Sequence, residues 1–177
     1  MKTLEDRQSQ IKTAFERNQK ALTLRPTLGR GTAVTRVRMV DGLTCEVEEG
    51  PWKIVADMGE KSGGCNGGPN PGFLGRAALG SCLAVGYVLW AAKRDLPLIS
   101  LEVEVQADYD SRSYHGIGEA KPGYQQVRYV VRIESPAAEE EIRAVLDEAD
   151  AHSDYLAVFA RPQEVRREVE IVESRQT

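Results

Sequence analysis

The sequence predicts an α+β domain that follows a helical N-terminal extension. Three observations support this fold class: residues 32–57 alternate between apolar and polar side chains, residues 71–94 are almost continuously apolar, and further alternating segments follow. At 177 residues, the chain is long enough for one domain with a hydrophobic core. We assign residues 1–28 to the extension and residues 29–177 to the domain, with the element order β-β-β-α-β-β-α-β.

The extension is predicted to form an amphipathic helix over residues 3–22. Its apolar side chains recur at helical intervals, and they are Leu4, Ile11, Ala14, Phe15 and Leu22. Arg25-Pro26 ends the helix, because a residue before proline is driven out of the helical conformation. Such a thin apolar stripe suits lying on a surface, and docking of a partner protein is a further possibility.

The first alternating region is predicted to be a three-stranded antiparallel meander. The first strand ends at Asp41-Gly42, a dipeptide typical of two-residue hairpin turns. The next two strands, residues 43–49 and 52–57, are separated by Gly50-Pro51. Together these signals place one small sheet before the long apolar segment.

A long central helix is predicted to begin at Asn70 and Pro71. Asparagine is a preferred N-cap, and proline fits the first helical position, where its missing N–H is not needed. The glycine-rich loop before it, residues 59–69, lacks the Gly-Lys-Ser/Thr ending of a phosphate-binding loop, so no nucleotide site is expected. The helix runs to about Arg94 and is apolar on most faces, which predicts that it is buried. Its small residues allow another backbone to approach closely, including that of a second copy of the helix.

The second half of the domain is predicted to contain two strands, two helices and a final strand. The two strands alternate over residues 99–106 and 127–133. A helix follows Ser135-Pro136 and carries glutamates in its first turns, where the helix macrodipole favours negative charge. A shorter helix covers residues 155–160. Residues 165–172 alternate again, which predicts a last strand.

Composition and charge argue against several classes of function. Hydrophobic residues make up 41% and charged residues 28%, and the net charge is -4, so nucleic acid is not expected as a partner. The chain has no run of about 18 apolar residues, and its N-terminus has no apolar leader segment. We therefore expect a cytoplasmic protein with reduced thiols and no membrane span. The spacings of Cys45, Cys65 and Cys82 match no zinc pattern, so we expect no metal or other cofactor.

Several separated motifs, in this order, resemble the OsmC/Ohr family. They are Gly68-Pro69-Asn70-Pro71, Leu74, Ala77-Ala78-Leu79-Gly80-Ser81-Cys82-Leu83, residues 96–103, residues 124–135, and Ser153 through Arg161-Pro162. The resemblance covers roughly residues 30–173. It implies an intertwined homodimer in which two long helices pack at the centre and two active sites lie at the subunit interface.

The resemblance also implies thiol chemistry. In the active peroxidases of this family, a helix cysteine attacks the O–O bond of an organic hydroperoxide and becomes a sulfenic acid, a second cysteine condenses with it, and a dithiol reduces the disulfide. An arginine held by a glutamate stabilises the attacking thiolate. Cys82 matches the attacking cysteine. Ser153 occupies the position of the second cysteine, Gly72 that of the glutamate, and Asp41-Gly42 the hairpin near which the arginine usually lies.

Each cysteine has a plain structural alternative to a chemical role. Cys82 is either the nucleophile or an inert core thiol, since free cysteine is among the most buried residues. Cys65 either resolves a Cys82 sulfenic acid or is a solvent-facing loop thiol. Cys45 lies on a predicted strand and is expected to be a packing residue.

The other candidate side chains are also open to two interpretations. Arg36 and Arg38 share one face of the first strand, where they either lie over the thiol or face solvent. Arg76 either reaches the partner subunit's site or is solvated at the helix end. His152 is expected to bond helix C-terminal carbonyls. Tyr87, Trp90 and Phe73 are expected in the core, although they would also suit an apolar ligand pocket.

We therefore predict an OsmC-like cytoplasmic homodimer that reduces organic hydroperoxides through Cys82. Because Ser153 replaces the second cysteine, the predicted enzyme works by a one-cysteine route with an external thiol reductant. The alternative is a non-catalytic relative that binds a small apolar ligand at the dimer interface. The absent glutamate, arginine and second cysteine favour that alternative.

Overall fold

The computed structural model describes residues 4–172 and confirms the α+β class. Four helices and five strands lie in these residues: α1 (Leu4–Leu24), β1 (Arg36–Asp41), β2 (Thr44–Glu49), β3 (Trp52–Ala56), α2 (Pro71–Lys93), β4 (Ser100–Tyr109), β5 (Tyr124–Glu134), α3 (Glu139–Ala151) and α4 (Asp154–Ala160). Short 3-10 turns occupy Pro26–Gly29 and Glu60–Ser62. The N-terminal helix, the meander, the central helix and the following strand pair are thus present as predicted.

The first sheet, in the order β1-β2-β3, has one apolar and one polar face. Opposed side chains of antiparallel strands share a face, so the register puts Val37, Val47 and Ile54 in one row. Trp52 lies on the same face, one row along. Much of this face is exposed in the described part of the chain: Val37 is 61% exposed and Trp52 77% exposed. The charged side chains Arg36, Arg38, Glu46, Glu48 and Lys53 occupy the opposite face.

The second sheet pairs β4 with β5 and supports the main core. Cross-strand pairs such as Val103 with Val131 and Val105 with Tyr129 place one side of this ribbon against α2. The fully buried side chains at the centre are Leu79, Leu83, Tyr87 and Ala149. Three of them recur every four residues along α2, which is the spacing of a single helical face.

The helix α2 begins as predicted. The Asn70 side-chain oxygen accepts a hydrogen bond from the Phe73 N–H at 2.9 Å, and Pro71 occupies the first turn. The expectation that α2 is buried on most faces is wrong for the single chain, where five of its 23 residues are buried. Phe73 and Val85 are 53% and 58% exposed on another side of the helix. The cause is that β4, α3 and α4 all pack on one side of α2.

By length and composition alone α2 would suffice to cross a membrane, with a mean hydropathy of 1.4. The core helix of a soluble protein satisfies the same criterion. Here Leu79, Leu83 and Tyr87 on α2 pack against a β-ribbon and a second helix, as in such a core. The criterion therefore does not distinguish α2 from a core helix.

Asp57 organises the glycine-rich loop before α2. Its carboxylate, 2% exposed, accepts hydrogen bonds from the backbone N–H groups of Met58, Cys65 and Gly67 at 2.7, 3.0 and 2.9 Å. The backbone N–H of Gly67, and then those of Met58 and Cys65, lower the pKa of this carboxyl against the opposing effect of burial. A Cβ atom at Gly68 would lie 2.3 Å from the Val55 carbonyl oxygen, so this close approach requires glycine. The predicted strand 52–57 ends at Ala56, because Asp57 serves the loop.

The predicted last strand over residues 165–172 is wrong for the single chain. These residues have no regular secondary structure, and Val165 and Ile171 are each 89% exposed. A strand requires a neighbour that supplies its backbone hydrogen bonds, and none of the five strands within residues 4–172 pairs with this segment. Alternation therefore identified a segment able to form a strand without identifying its neighbour.

The helix α1 packs on the C-terminal end of α2. The rings of Phe15 and Trp90 meet edge to face at 5.4 Å, and the Lys93 ammonium lies 4.0 Å from the Trp90 ring. The Gln8 side chain donates a hydrogen bond to the Leu96 carbonyl oxygen at 2.8 Å. Phe15 of the predicted apolar stripe thus packs on the domain, whereas Leu22 is 43% exposed.

Candidate functional site

Cys82 and Ser153 meet across two helices. The Cys82 sulfur, three turns into α2, lies 3.6 Å from the Ser153 hydroxyl oxygen. Ser153 is 9% exposed and forms the N-cap of α4, where its oxygen accepts a hydrogen bond from the Leu156 N–H at 3.3 Å. Cys82 is half-buried. The sulfur therefore faces a hydroxyl at the position where the family resemblance expects a second sulfur.

A second polar cluster lies at the adjacent end of α3. The Asp150 carboxylate accepts one hydrogen bond on each oxygen, from the hydroxyls of Tyr87 and Tyr129, both at 2.7 Å. We call these three residues the Asp150 cluster. Burial, and then the hydrogen bond to Asp150, raises the pKa of Tyr129 to about 12 and raises the pKa of Tyr87 further. Both hydroxyls therefore stay protonated and donate at neutral pH.

Arg76 lies beside the position that the resemblance assigns to a glutamate. Its guanidinium donates to the Tyr124 hydroxyl oxygen at 3.3 Å, and that hydroxyl donates to the Gly72 carbonyl at 3.1 Å. A Cβ atom at Gly72 would lie 3.4 Å from the Arg76 guanidinium and 3.7 Å from the Tyr124 oxygen. The Tyr124 ring stacks on Phe159 of α4 with centroids 6.3 Å apart. Arg76 thus bonds a tyrosine hydroxyl beside Gly72, the position where the family resemblance implies a glutamate.

Arg36 and Arg38 lie on the polar face of the first sheet. The Arg38 guanidinium pairs with the Glu46 carboxylate at 2.5 Å, and Arg36 is opposite Glu48 in the register. Both arginines are exposed. Neither arginine forms a hydrogen bond with Cys82 in the described part of this single chain.

Cys65 and Cys45 are also separate from the Cys82–Ser153 pair. Cys65 is exposed, in a loop that the Asp57 carboxylate holds through the Cys65 N–H. Cys45 is half-buried on β2, opposite Met39 and Ala56. All three thiols are free. The structure thus brings Cys82 together with Ser153 and does not bring it together with Cys65.

The other side chains singled out from the sequence have mainly packing or helix-capping contacts. The His152 ring nitrogen Nδ1 lies 2.7 Å from the Glu148 carbonyl oxygen, which confirms the predicted C-terminal contact. Tyr87 is buried and Trp90 half-buried, whereas Phe73 is mostly exposed. Among the described residues, no group of three or more His, Cys, Asp or Glu side chains is arranged to hold a metal ion. A groove of about 450 Å³ lies beside Leu96 and Glu141, and its lining does not include Cys82.

Comparison with known proteins identifies the family. The model of the OsmC-like protein family matches residues 63–167, which is more than half of the chain. The chain belongs to the OsmC-like family. The match begins in the glycine-rich loop and includes Cys82, the Asp150 cluster and Ser153. No curated protein sequence matches the chain.

Solved structures of OsmC-like proteins share the fold at low sequence identity. The OsmC-like protein of Mycoplasma pneumoniae superposes with a TM-score of 0.63 at 14% identity, covering 73% of this chain and 88% of its own. An OsmC-like protein of Vibrio cholerae gives 0.58 at 14%, covering 72% and 92%. The organic hydroperoxide resistance protein OsmC of Legionella pneumophila gives 0.54 at 16%, covering 73% and 89%. These likenesses show the fold of this OsmC-like protein.

The sequence alone reveals neither the Asp150 cluster nor the role of Tyr124. Both join residues of distant segments: Tyr87 is 63 positions from Asp150, and Arg76 is 48 positions from Tyr124. The sequence contains one local indication of the Asp150 cluster: Asp150 lies in the last turn of a helix, where the macrodipole disfavours a carboxylate. A residue that contradicts a local preference often has a specific partner.

Proposed function

We propose that this OsmC-like protein is a thiol-dependent reductase of organic hydroperoxides with Cys82 as the attacking nucleophile. The observation that supports the proposal most directly is the 3.6 Å approach of the Cys82 sulfur to the Ser153 oxygen. It gives the helix cysteine a polar neighbour on α4, as the family resemblance implies for the attacking cysteine. Cys82 is also half-buried, and a partly shielded thiol can meet an apolar substrate while water is limited.

The proposed first step transfers two electrons from sulfur to the peroxide. The Cys82 thiolate attacks the terminal oxygen of the hydroperoxide, the O–O bond breaks, and the alkoxide leaves and takes a proton from solvent to form the alcohol. Cys82 becomes a sulfenic acid. Arg76, Arg36 and Arg38 are the arginines that would stabilise the thiolate, provided by the same or the partner subunit.

The proposed second step requires a thiol from outside the chain. Ser153 cannot form a disulfide, and Cys65 is held in a separate loop. An external thiol attacks the Cys82 sulfenic sulfur and releases water, which forms a mixed disulfide. A second thiol then restores Cys82 and leaves as the oxidised disulfide. We place this chemistry in the cytoplasm, where small thiols are abundant and reduced.

We also propose that the functional unit is a homodimer. Three uncovered apolar surfaces support it: the face of the first sheet with Val37 and Ile54, the side of α2 with Val85, and the segment with Val165 and Ile171. Apolar surfaces of this extent on one chain are typical of an interface. Sedimentation should give twice the chain mass of 19.5 kDa. Ile54→Glu should shift the distribution to monomer, whereas Lys53→Glu on the polar face should not.

The enzymatic proposal is tested by the rate at which Cys82 is oxidised. Protein reacts with cumene hydroperoxide or hydrogen peroxide, and sulfenic acid is trapped with dimedone and measured by intact mass. Fast, organic-selective labelling that persists in Cys45→Ser and Cys65→Ser and disappears in Cys82→Ser is expected. An external thiol should restore Cys82 after each turnover.

The competing function is binding of a small apolar ligand without catalysis. Gly72 and Ser153, in place of a glutamate and a cysteine, favour this alternative. If folded protein leaves Cys82 unmodified at large peroxide excess, the reductase proposal is refuted. Binding of an apolar fluorescent probe at the dimer interface would then support the alternative.

A further inference from the structure

We infer that Asp150 is a positioning residue: its carboxylate, bound by the hydroxyls of Tyr87 and Tyr129, holds the end of α3 so that residue 153 lies against the Cys82 thiol. This deepens the proposed function, on which it rests in taking Cys82 as the reacting group. The inference assigns a role in the site to three residues, the Asp150 cluster, that do not themselves touch the sulfur.

The chemistry of Asp150 is unusual for its place in the fold. It lies one residue before the end of α3, a helix with no basic residue in its last turn. The negative end of the macrodipole disfavours a carboxylate there. Among the described residues, its side-chain partners are two neutral hydroxyls, and it forms no ion pair. A half-buried carboxylate in this place requires strong donors, and two hydroxyls at 2.7 Å supply them.

The two donors come from different elements of the core. Tyr87 belongs to α2, is 1% exposed and lies five residues beyond Cys82. Tyr129 belongs to β5 and packs on the same core cluster. One carboxylate therefore joins the end of α3 both to the helix that carries the thiol and to the sheet beneath it. Two anchors in different directions restrict sliding as well as rotation of the end of α3.

The link from Asp150 to the thiol is short. The Ser153 N–H donates to the Asp150 carbonyl oxygen at 3.2 Å, so the main chain of the same residue holds residue 153. Ser153 then caps α4 and faces Cys82. The residue that carries the carboxylate is thus three positions before the residue whose side chain meets the sulfur. A shift of α3 along α2 would change the distance between residue 153 and the sulfur directly.

The test measures how readily a disulfide forms between residues 82 and 153, which reports how closely the two side chains are held together. Ser153→Cys is introduced together with Cys45→Ser and Cys65→Ser, so that the two remaining thiols are at positions 82 and 153. The folded protein is equilibrated with reduced and oxidised glutathione, in which one glutathione disulfide is consumed and two glutathione thiols are released per protein disulfide. The equilibrium ratio, measured by mass after acid quenching, gives the effective concentration of one thiol at the other.

Tyr129→Phe and Asp150→Asn should each lower this effective concentration by about tenfold, since each removes a charge-assisted hydrogen bond of the cluster. The matched control is Tyr109→Phe, the same change at a strand end where the side chain is 68% exposed, and it should leave the value unchanged. Tyr129→Phe keeps the shape of the ring and carries the test if Asp150→Asn does not fold. Loss of global stability alone does not move this equilibrium in folded protein well below its melting temperature.

Two outcomes would overturn the inference. One is an unchanged effective concentration in folded Tyr129→Phe, and the other is failure of the Ser153→Cys protein to form the disulfide at all. Because the measurement contains no hydroperoxide, it is independent of the proposed activity. A protein with an intact cluster effect and no peroxide reactivity would retain this inference and lose the reductase proposal.

Discussion

Ser153→Cys should place a second thiol beside Cys82 and change the stability of the protein in two opposite ways. The sulfur and oxygen atoms are now 3.6 Å apart. A disulfide needs sulfur atoms about 2.05 Å apart, so the new sulfur has to approach the Cys82 sulfur by about 1.5 Å. Peroxide should then yield a disulfide, and the mass of the protein should fall by about 2 Da because one S–S bond replaces two S–H bonds.

The size of the expected change in folding stability follows from two features of the site. The bridge would join positions 71 residues apart, and closing a loop of that length in the unfolded chain stabilises the folded state by about 4 kcal/mol. Ser153 is also the N-cap of α4, and replacing a good cap loses about 1 kcal/mol. We therefore expect the reduced variant to unfold about 1 kcal/mol more easily than the unmodified protein, and the oxidised variant to be about 3 kcal/mol more stable.

The assay is urea unfolding of oxidised and reduced samples of the same preparation, followed by circular dichroism. The matched control is Ser153→Ala, which loses the cap without gaining a thiol and should behave like the reduced variant under both conditions. If oxidation leaves the urea midpoint of Ser153→Cys unchanged although mass shows the disulfide, the side chains of residues 82 and 153 do not meet in the native fold as described.

Three further predictions concern pH and the loop before α2. Burial and its carboxylate acceptor raise the pKa of Tyr129 to about 12, so its contribution to stability is complete below about pH 10 and is lost as pH rises toward 12. Melting temperature against pH should therefore fall less steeply in that window in Tyr129→Phe. The Gly67 N–H is the main cause of the lowered pKa of Asp57. The contribution of the Asp57 carboxylate to stability is therefore present above about pH 4 and is lost as pH falls through the lowered pKa. Asp57→Asn should have a lower melting temperature than the unmodified protein at pH 7, and the two melting temperatures should converge in acid. Gly68→Ala brings a Cβ atom to 2.3 Å from a β3 carbonyl and should destabilise by about 1–3 kcal/mol in urea, whereas Gly59→Ala, with nothing within 4 Å, should change the midpoint little.

The parts of the fold that depend on neighbouring residues were predictable from the sequence. Asn70 and Pro71 set the start of α2 through contacts within one helical turn, and the hairpin at Asp41-Gly42 likewise needs a few residues. The Cys82–Ser153 pair was indicated by the register of a family resemblance, since the two positions are far apart in the chain.

The parts that depend on distant partners were not predictable in the same way. The Asp150 cluster joins a helix end to residues 21 and 63 positions away, and no periodicity encodes such a meeting. Residues 165–172 show the converse, because alternation states which side chains share a face and leaves the neighbouring strand undetermined. The sequence correctly predicted that α2 has a buried face. How much of the helix is buried depends on how many elements cover it, which the sequence pattern does not state.

The two tryptophans of the chain lie in contrasting surroundings, which gives the molecule two natural optical reporters. Trp90 packs among Phe15, Lys93 and His152, so its emission should be sensitive to whether α1 stays docked. Trp52 is 77% exposed on the apolar face of the first sheet. If this face is part of the dimer interface, Trp52 emission should move to shorter wavelength as the protein concentration is raised. Replacing one indole at a time by phenylalanine separates the two signals without any added label.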